Sequence, residues 1–416
     1  MSRISKDKTI KKFVYLLLCL SILTIPVNVS FFNIIRFSDI LFIISFIIYT
    51  VSNLSIKSID LTIFSTFFGI LLLSSLISII NNNNISYTGL AFYYKYSLIF
   101  LIPLIVIDVV NSKKRLIRIV SILYYIFFTL IIWVYIYYIL RLEGIINGNP
   151  RVSYPFSNYH MSDAHVYSSY LSFTFVAYHE YIKKTLGHKS IHSYIILILA
   201  VGALILTGSK TGLLIISLYF IIICIRFFKN LSKKNLKIIT TITFIITILL
   251  LINTPKDNDN DPFNYLYLYN RATTYNVKGD SINGRLEKGI RALNEISPNY
   301  LLIGNGPTGA SMKWYDGGIS ILLAHGGVLG LLSLIIYIYM ILTRSKRRSI
   351  IGKSYGLHKV FTLLIFIYLI LSVITEHFLI TRNLLPVATL LSVIFANIKL
   401  NYIESSMNAN HLVPLK

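Results

Sequence analysis

Apolar stretches of about 20 residues, the length an α-helix needs to cross a bilayer core, follow one another along almost the whole chain. Twelve can be marked off, at roughly 13–32, 38–53, 60–80, 93–110, 119–140, 166–182, 191–206, 208–227, 237–253, 318–342, 359–380 and 383–400. Hydrocarbon offers no partner to a backbone N–H or C=O, so such stretches are expected to satisfy their own backbone as helices. The expectation is an all-α polytopic integral membrane protein, with residues 1–416 forming a single transmembrane domain of about twelve helices. The second, sixth and seventh stretches are short, and only a Gly-Ser turn separates the seventh from the eighth. Basic residues precede the first apolar core, as in a signal peptide, yet no small-residue cleavage site follows. A retained first helix is therefore expected.

Composition agrees. Only 13% of the residues are charged, against about 25% in soluble domains. A net charge of +23, from 39 Lys+Arg and 16 Asp+Glu, would in a soluble protein point to nucleic acid. In a membrane protein the distribution of that charge matters more, because cytoplasmic loops hold the excess of Lys and Arg. With the N-terminus inside, 26 of the 39 basic residues fall in cytoplasmic segments, among them Lys11, Lys12, the Lys113–Arg118 cluster and Arg344–Arg348. That orientation puts both termini in the cytoplasm, and no nucleic-acid partner is needed to explain the charge. Cys19 and Cys224 lie inside apolar stretches, where they are expected as small buried hydrophobes.

The non-membrane sequence collects on the opposite, external face, in a loop at 141–165 and a large loop at 254–317. The cytoplasmic loops are short, with no nucleotide-binding fold among them. In the large loop, Tyr265, Tyr267 and Tyr269 suit either a membrane interface or stacking on sugar rings. Gly284–Ser297 has amphipathic helical spacing, with Leu286, Ile290, Leu293 and Ile296 on one face and Arg285, Lys288 and Glu295 on the other. Gly304-Asn-Gly306-Pro-Thr-Gly309 matches GxGxxG formally. It has no preceding strand, and Pro307 removes a donor, so a tight turn is the reading and no cofactor is expected. His160, Asp163 and His165 lack metal-site spacing, no metal is expected, and Asp163 is read as a cap of the sixth span. His179 and Glu180 are read as interfacial, and Glu376 and His377 as ionisable groups near the outer end of the eleventh span.

Two residues keep alternative readings. Lys210, in the turn Thr207-Gly-Ser-Lys-Thr-Gly212, is either an anchor lysine at the membrane surface or a fixed cation for a phosphate group. Asp316, ahead of the tenth span, is either a helix cap or a group that engages an acceptor.

In order and sidedness these pieces resemble the bacterial polysaccharide polymerases of the Wzy type and the related O-antigen ligases. The motifs are Arg151 with RVSYPFSN, the turn TGSKTG, NGRLEKGIRAL followed by LLIGNGP, and Asp316 leading into Gly326-Gly327-Val328-Leu329-Gly330. Ligases typically place His where Asp316 stands, which favours the polymerase. The resemblance implies a GT-C-like membrane glycosyltransferase in the bacterial inner membrane, with its active site carried by the periplasmic loop 254–317. It implies polymerisation of undecaprenyl-diphosphate-linked oligosaccharide repeats into O-antigen or capsule. Membrane lipid and a chain-length regulator are the further partners implied. In that chemistry Lys210 and Arg285 would hold the departing diphosphate, and Arg151, Arg271 and Arg291 would bind substrate. Asp316 would act as base or orient the acceptor hydroxyl. The alternatives are a ligase delivering polymer to lipid A-core and a flippase for lipid-linked oligosaccharide. A flippase should carry its ionisable groups within the spans, whereas here they crowd the external loops.

Overall fold

A computed structural model describes residues 3–25, 30–31, 35–51, 58–82, 87–145, 152, 162–207, 210–229, 301–307, 318–374 and 381–411. They form a helical bundle. In chain order the helices are α1 (Arg3–Leu23), α2 (Phe37–Val51), α3 (Ser58–Asn82), α4 (Tyr87–Val109), α5 (Lys113–Leu142) and α6 (Ser162–Ala177). A π-turn over Tyr178–Ile182 and a short α7 (Lys183–Leu186) extend α6, and α8 (Ser190–Leu206) and α9 (Lys210–Lys229) follow. The last three are α10 (Gly318–Ile351), α11 (Tyr355–Ile374) and α12 (Thr381–His411). A two-residue antiparallel ribbon, Ser30–Phe31 with Ile35–Arg36, leads from α1 into α2.

Among the described residues six helices are long and apolar enough to cross a membrane: α3, α4, α5, α10, α11 and α12. Three shorter apolar helices, α2, α8 and α9, lie beside them. The ninth predicted span, 237–253, lies outside the described residues. Boundaries shift for physical reasons. The first helix ends at Leu23 rather than near 32, three residues ahead of Pro26, which disfavours helical backbone in the residue before it. α10 and α12 run past the apolar limits of their spans, to Ile351 and His411. In α10 the extension holds Arg344, Lys346, Arg347 and Arg348, and Lys and Arg are good helix formers, so hydropathy ends that span without ending the helix.

The main core joins α1, α2, α4, α5, α6, α8, α9, α11 and α12, and a second cluster forms where α3, α4 and α10 meet around Phe67, Leu71, Tyr96 and Ile321. Tyrosine hydroxyls tie helices together through carbonyl oxygens. Tyr135 donates to Leu199 O at 2.8 Å, binding α5 to α8, and Tyr167 donates to Leu130 O, binding α6 to α5. A hydroxyl buried in an apolar bundle needs such a partner.

Ion pairs draw the basic helix ends to one end of the bundle. Lys11 meets Asp108 at 2.8 Å, and Lys113 meets Glu404 at 2.7 Å. At the inner end of the sixth predicted span, Glu180 is buried rather than interfacial as its position in the sequence implied. Its Oε1 accepts from Arg226 Nη1 at 2.6 Å and from Tyr219 Oη at 2.8 Å, and Tyr219 also meets His179 Nδ1 at 2.5 Å. The π-turn inserts an extra residue at this point and helps turn Glu180 toward α9.

Removing the cation should strand the buried carboxylate. Arg226→Met is expected to cost about 1–3 kcal/mol, below the ~3–5 of a fully buried pair because half of Arg226 is exposed. Glu180→Gln in the same chain should recover most of the loss, as measured by the thermal unfolding midpoint in detergent.

Candidate functional site

At the end of the bundle away from those ion pairs, α10 is broken. Gly327 takes φ 60° and ψ −162°, a conformation essentially reserved for glycine. A break inside an apolar helix leaves carbonyls on one side and N–H groups on the other without their usual partners. The segment Leu301–Pro307 supplies them. Asn305 N donates to Ala324 O at 2.7 Å and Gly306 N to His325 O at 2.9 Å. In return Val328 N and Leu329 N donate to Leu301 O and Leu302 O, at 3.1 and 3.0 Å. Ser74 of α3 closes the seam, its Oγ 2.7 Å from Gly304 O and 3.1 Å from His325 O.

This close approach requires glycine. Gly304 and Gly306 both have positive φ. A Cβ on Gly304 would stand 2.6 Å from Gly327 N, and one on Gly306 would meet the Ser75 backbone. The GxGxxG match is therefore a tight backbone crossing at Gly304 and Gly306. The LLIGNGP and GGVLG motifs, separate in sequence, make one structure.

Behind the seam His325 is buried, with its Nδ1 3.0 Å from Tyr96 Oη and its ring edge-on to Phe92, centroids 4.8 Å apart. Lys95 places its ammonium 4.5 Å from the Phe92 ring centre. None of His325, Tyr96, Ser74 or Lys95 was among the sequence candidates. Lys95 did have a signal, a charge within an apolar span.

Thr207 and Gly212, which bracket Lys210 in the sequence, both pack against α6. Thr207 Oγ1 donates to Leu204 O at 2.7 Å and lies 3.2 Å from Ser168 Oγ, while a Cβ on Gly212 would collide with that same Ser168. Lys210 is the first residue of α9. Val152, next to Arg151, is buried in the main core. Arg151, Arg271, Arg285, Arg291 and Asp316 lie outside the described residues, as do His160, Glu376 and His377, and the side chains of Lys210, Asp163 and His165. Asp163 falls in the first turn of α6.

Between α4, α10, α11 and α12 lies a cavity of about 80 Å³ whose walls, including Ile99, Pro103, Leu334 and Phe361, are almost wholly apolar. Such walls suit hydrocarbon rather than a polar ligand. Comparison with protein-family models and with curated proteins finds no match for this chain.

A matched pair of glycine substitutions tests the seam. Gly327→Ala should destabilise the protein by at least about 2 kcal/mol, since its φ is positive and its Cβ would meet the Leu302 carbonyl. Gly330→Ala, three residues on with its nearest neighbour 4.0 Å away, should be neutral or slightly stabilising. Thermal midpoints of the two purified variants give the comparison.

Proposed function

We propose that this chain is a Wzy-type polymerase, joining undecaprenyl-diphosphate-linked oligosaccharide repeats at the outer face of the bacterial inner membrane. In this reading twelve GT-C-like spans hold the site, with both termini in the cytoplasm. The observation that supports it most is the seam. Two of the motifs on which the resemblance rests, LLIGNGP and GGVLG, are hydrogen-bonded to each other. The chain arriving at the seam carries Arg285 sixteen residues before Leu301, and the chain entering α10 carries Asp316 two residues before Gly318. A second support is that Thr207 and Gly212, the two ends of the TGSKTG motif, both meet Ser168 of α6, the helix that follows the RVSYPFSN motif.

The chemistry uses these groups in complementary roles. A hydroxyl oxygen of the incoming lipid-linked repeat forms a bond to the anomeric carbon of the growing chain. The bond from that carbon to the diphosphate oxygen breaks, and its electron pair leaves with undecaprenyl diphosphate. Asp316 takes the hydroxyl proton or orients the nucleophile, a contribution of roughly 10²–10⁴-fold for general base catalysis. Lys210 and Arg285 neutralise the departing diphosphate, Arg through a bidentate fork and Lys as a point charge. Arg151, Arg271 and Arg291 hold the rest of the lipid-linked substrates. The chain-length regulator is the partner expected to set the product's size.

Arg285→Ala and Asp316→Asn, made singly, should each abolish long-chain polysaccharide on a gel while membrane protein levels stay normal. A normal ladder in both variants sinks the proposal. Deletion of the gene should leave single repeats, whereas accumulation of long lipid-linked polymer would identify a ligase instead.

A further inference from the structure

α7 ends at Gly187 in a left-handed conformation (φ 66°), and the chain that follows carries two histidines four residues apart, His188 and His192. Their rings meet edge to face, with centroids 4.7 Å apart. Each ring also holds a tyrosine from a different element. His188 Nδ1 lies 3.1 Å from Tyr178 Oη of the π-turn, and His192 Nε2 lies 2.9 Å from Tyr124 Oη of α5. Tyr124 packs edge-on against His188 at 4.7 Å and stacks on Tyr178 at 5.9 Å. Ser193 of α8 bonds to the same Tyr178 side chain. Four rings thus fasten the start of α8 to two other elements.

Along the first two turns of α8 the buried residues are Ser193 and Ile196, while Ile191, Tyr194 and Ile195 are exposed. The far end of the helix is held separately, by Tyr135 on Leu199 O and by Thr207 against Ser168. Release of the ring cluster would therefore free the start of α8 and leave its end in place.

The cluster suits neutral imidazoles. A neutral ring nitrogen accepts a tyrosine proton, whereas a protonated ring carries hydrogen on both nitrogens and forces the tyrosine to accept instead. A proton on either ring also sets a cation against the other histidine and beside the positive N-terminus of α8. Lys183, Lys184 and Lys189 are the charged residues of the same connection. Among the described residues no carboxylate pairs with either ring, and Glu180 is engaged by Arg226 and Tyr219. His192 is exposed and His188 half-buried, so protons reach both from solvent. Burial and then the neighbouring His192 hold the His188 pKa below its ordinary value. The released segment consequently binds protons more readily than the fastened one, and the grip is lost as pH falls through the histidine range of about 6.5 and below.

We propose that His188 and His192 form a pH-sensitive clasp, which holds the start of α8 on α5 and the π-turn while both rings are neutral and lets it go when they protonate. The clasp stands apart from the polymerase reading, because none of these groups takes part in that chemistry.

The test is hydrogen exchange, read by mass spectrometry on the full-length protein in nanodiscs at about pH 7.5 and about pH 5.5, with rates corrected for the chemical effect of pH. Peptides covering 189–197 should lose protection about threefold or more at the lower pH, while peptides from α12 keep theirs. His188→Gln/His192→Gln, which puts a neutral hydrogen-bonding group at each position, should abolish that pH response. Equal protection of 189–197 in the native protein at both pH values would overturn the proposal. A native-sized response in the double variant would overturn it too, by assigning the response to other groups. If the double variant leaves 189–197 open at both pH values, His188→Gln alone decides. Loss of most of the pH response in that single variant supports the clasp, and an unchanged response rejects it.

Discussion

The architecture at the seam end of the bundle depends on one constraint: a helix broken inside an apolar bundle must find partners for its freed backbone groups. Water cannot supply them at that depth, and an unsatisfied amide in hydrocarbon costs several kcal/mol. Leu301–Pro307 meets the need at Gly327 with four backbone hydrogen bonds, and Ser74 adds a side-chain donor. The turn cannot withdraw without exposing both halves of α10, so the two chain segments that flank it have fixed starting points.

The opposite end is secured by electrostatics. Lys11–Asp108 and Lys113–Glu404 are partly or well exposed and are each worth little. Glu180 differs because it is buried and satisfied by both Arg226 and Tyr219. Breaking that network leaves a charge without water, so it fixes the alignment of α6 with α9 more firmly than its net energy would indicate. The same two helices meet again at Ser168 and Gly212. Their alignment therefore extends to the first turn of α9, at Gly212.

Much of the helical plan was legible in sequence. Apolar length located α3, α4, α5, α10, α11 and α12, because the requirement for about 20 apolar residues is set by bilayer thickness. Helix ends were less legible where Lys and Arg continue the helix into polar surroundings, as in Arg344–Arg348 of α10. Gly304 and Gly306 were legible as a turn, yet their partner was not, since a glycine reports only that space is scarce. Glu180 misled for a related reason. Its position at a span end fits an interfacial residue equally well, and only Arg226 and Tyr219 on α9 reveal a buried carboxylate. Lys95 is legible as a charge within an apolar run, but its place over Phe92 is not, because thirty tyrosines and other aromatics crowd the chain.

By itself the sequence determined that this chain makes apolar helices with basic residues between them. Hydrophobic length and charge placement are local properties that any fold of the chain must respect. Only the tertiary structure decided that Leu301–Pro307 caps the break at Gly327, that α6 leans on α9 at Ser168, and that Lys95 shares a wall with His325. These pairings join residues far apart in the chain, and they depend on close approach between backbones. Such contacts have no sequence period to announce them, because they are chosen by the shape of the partner.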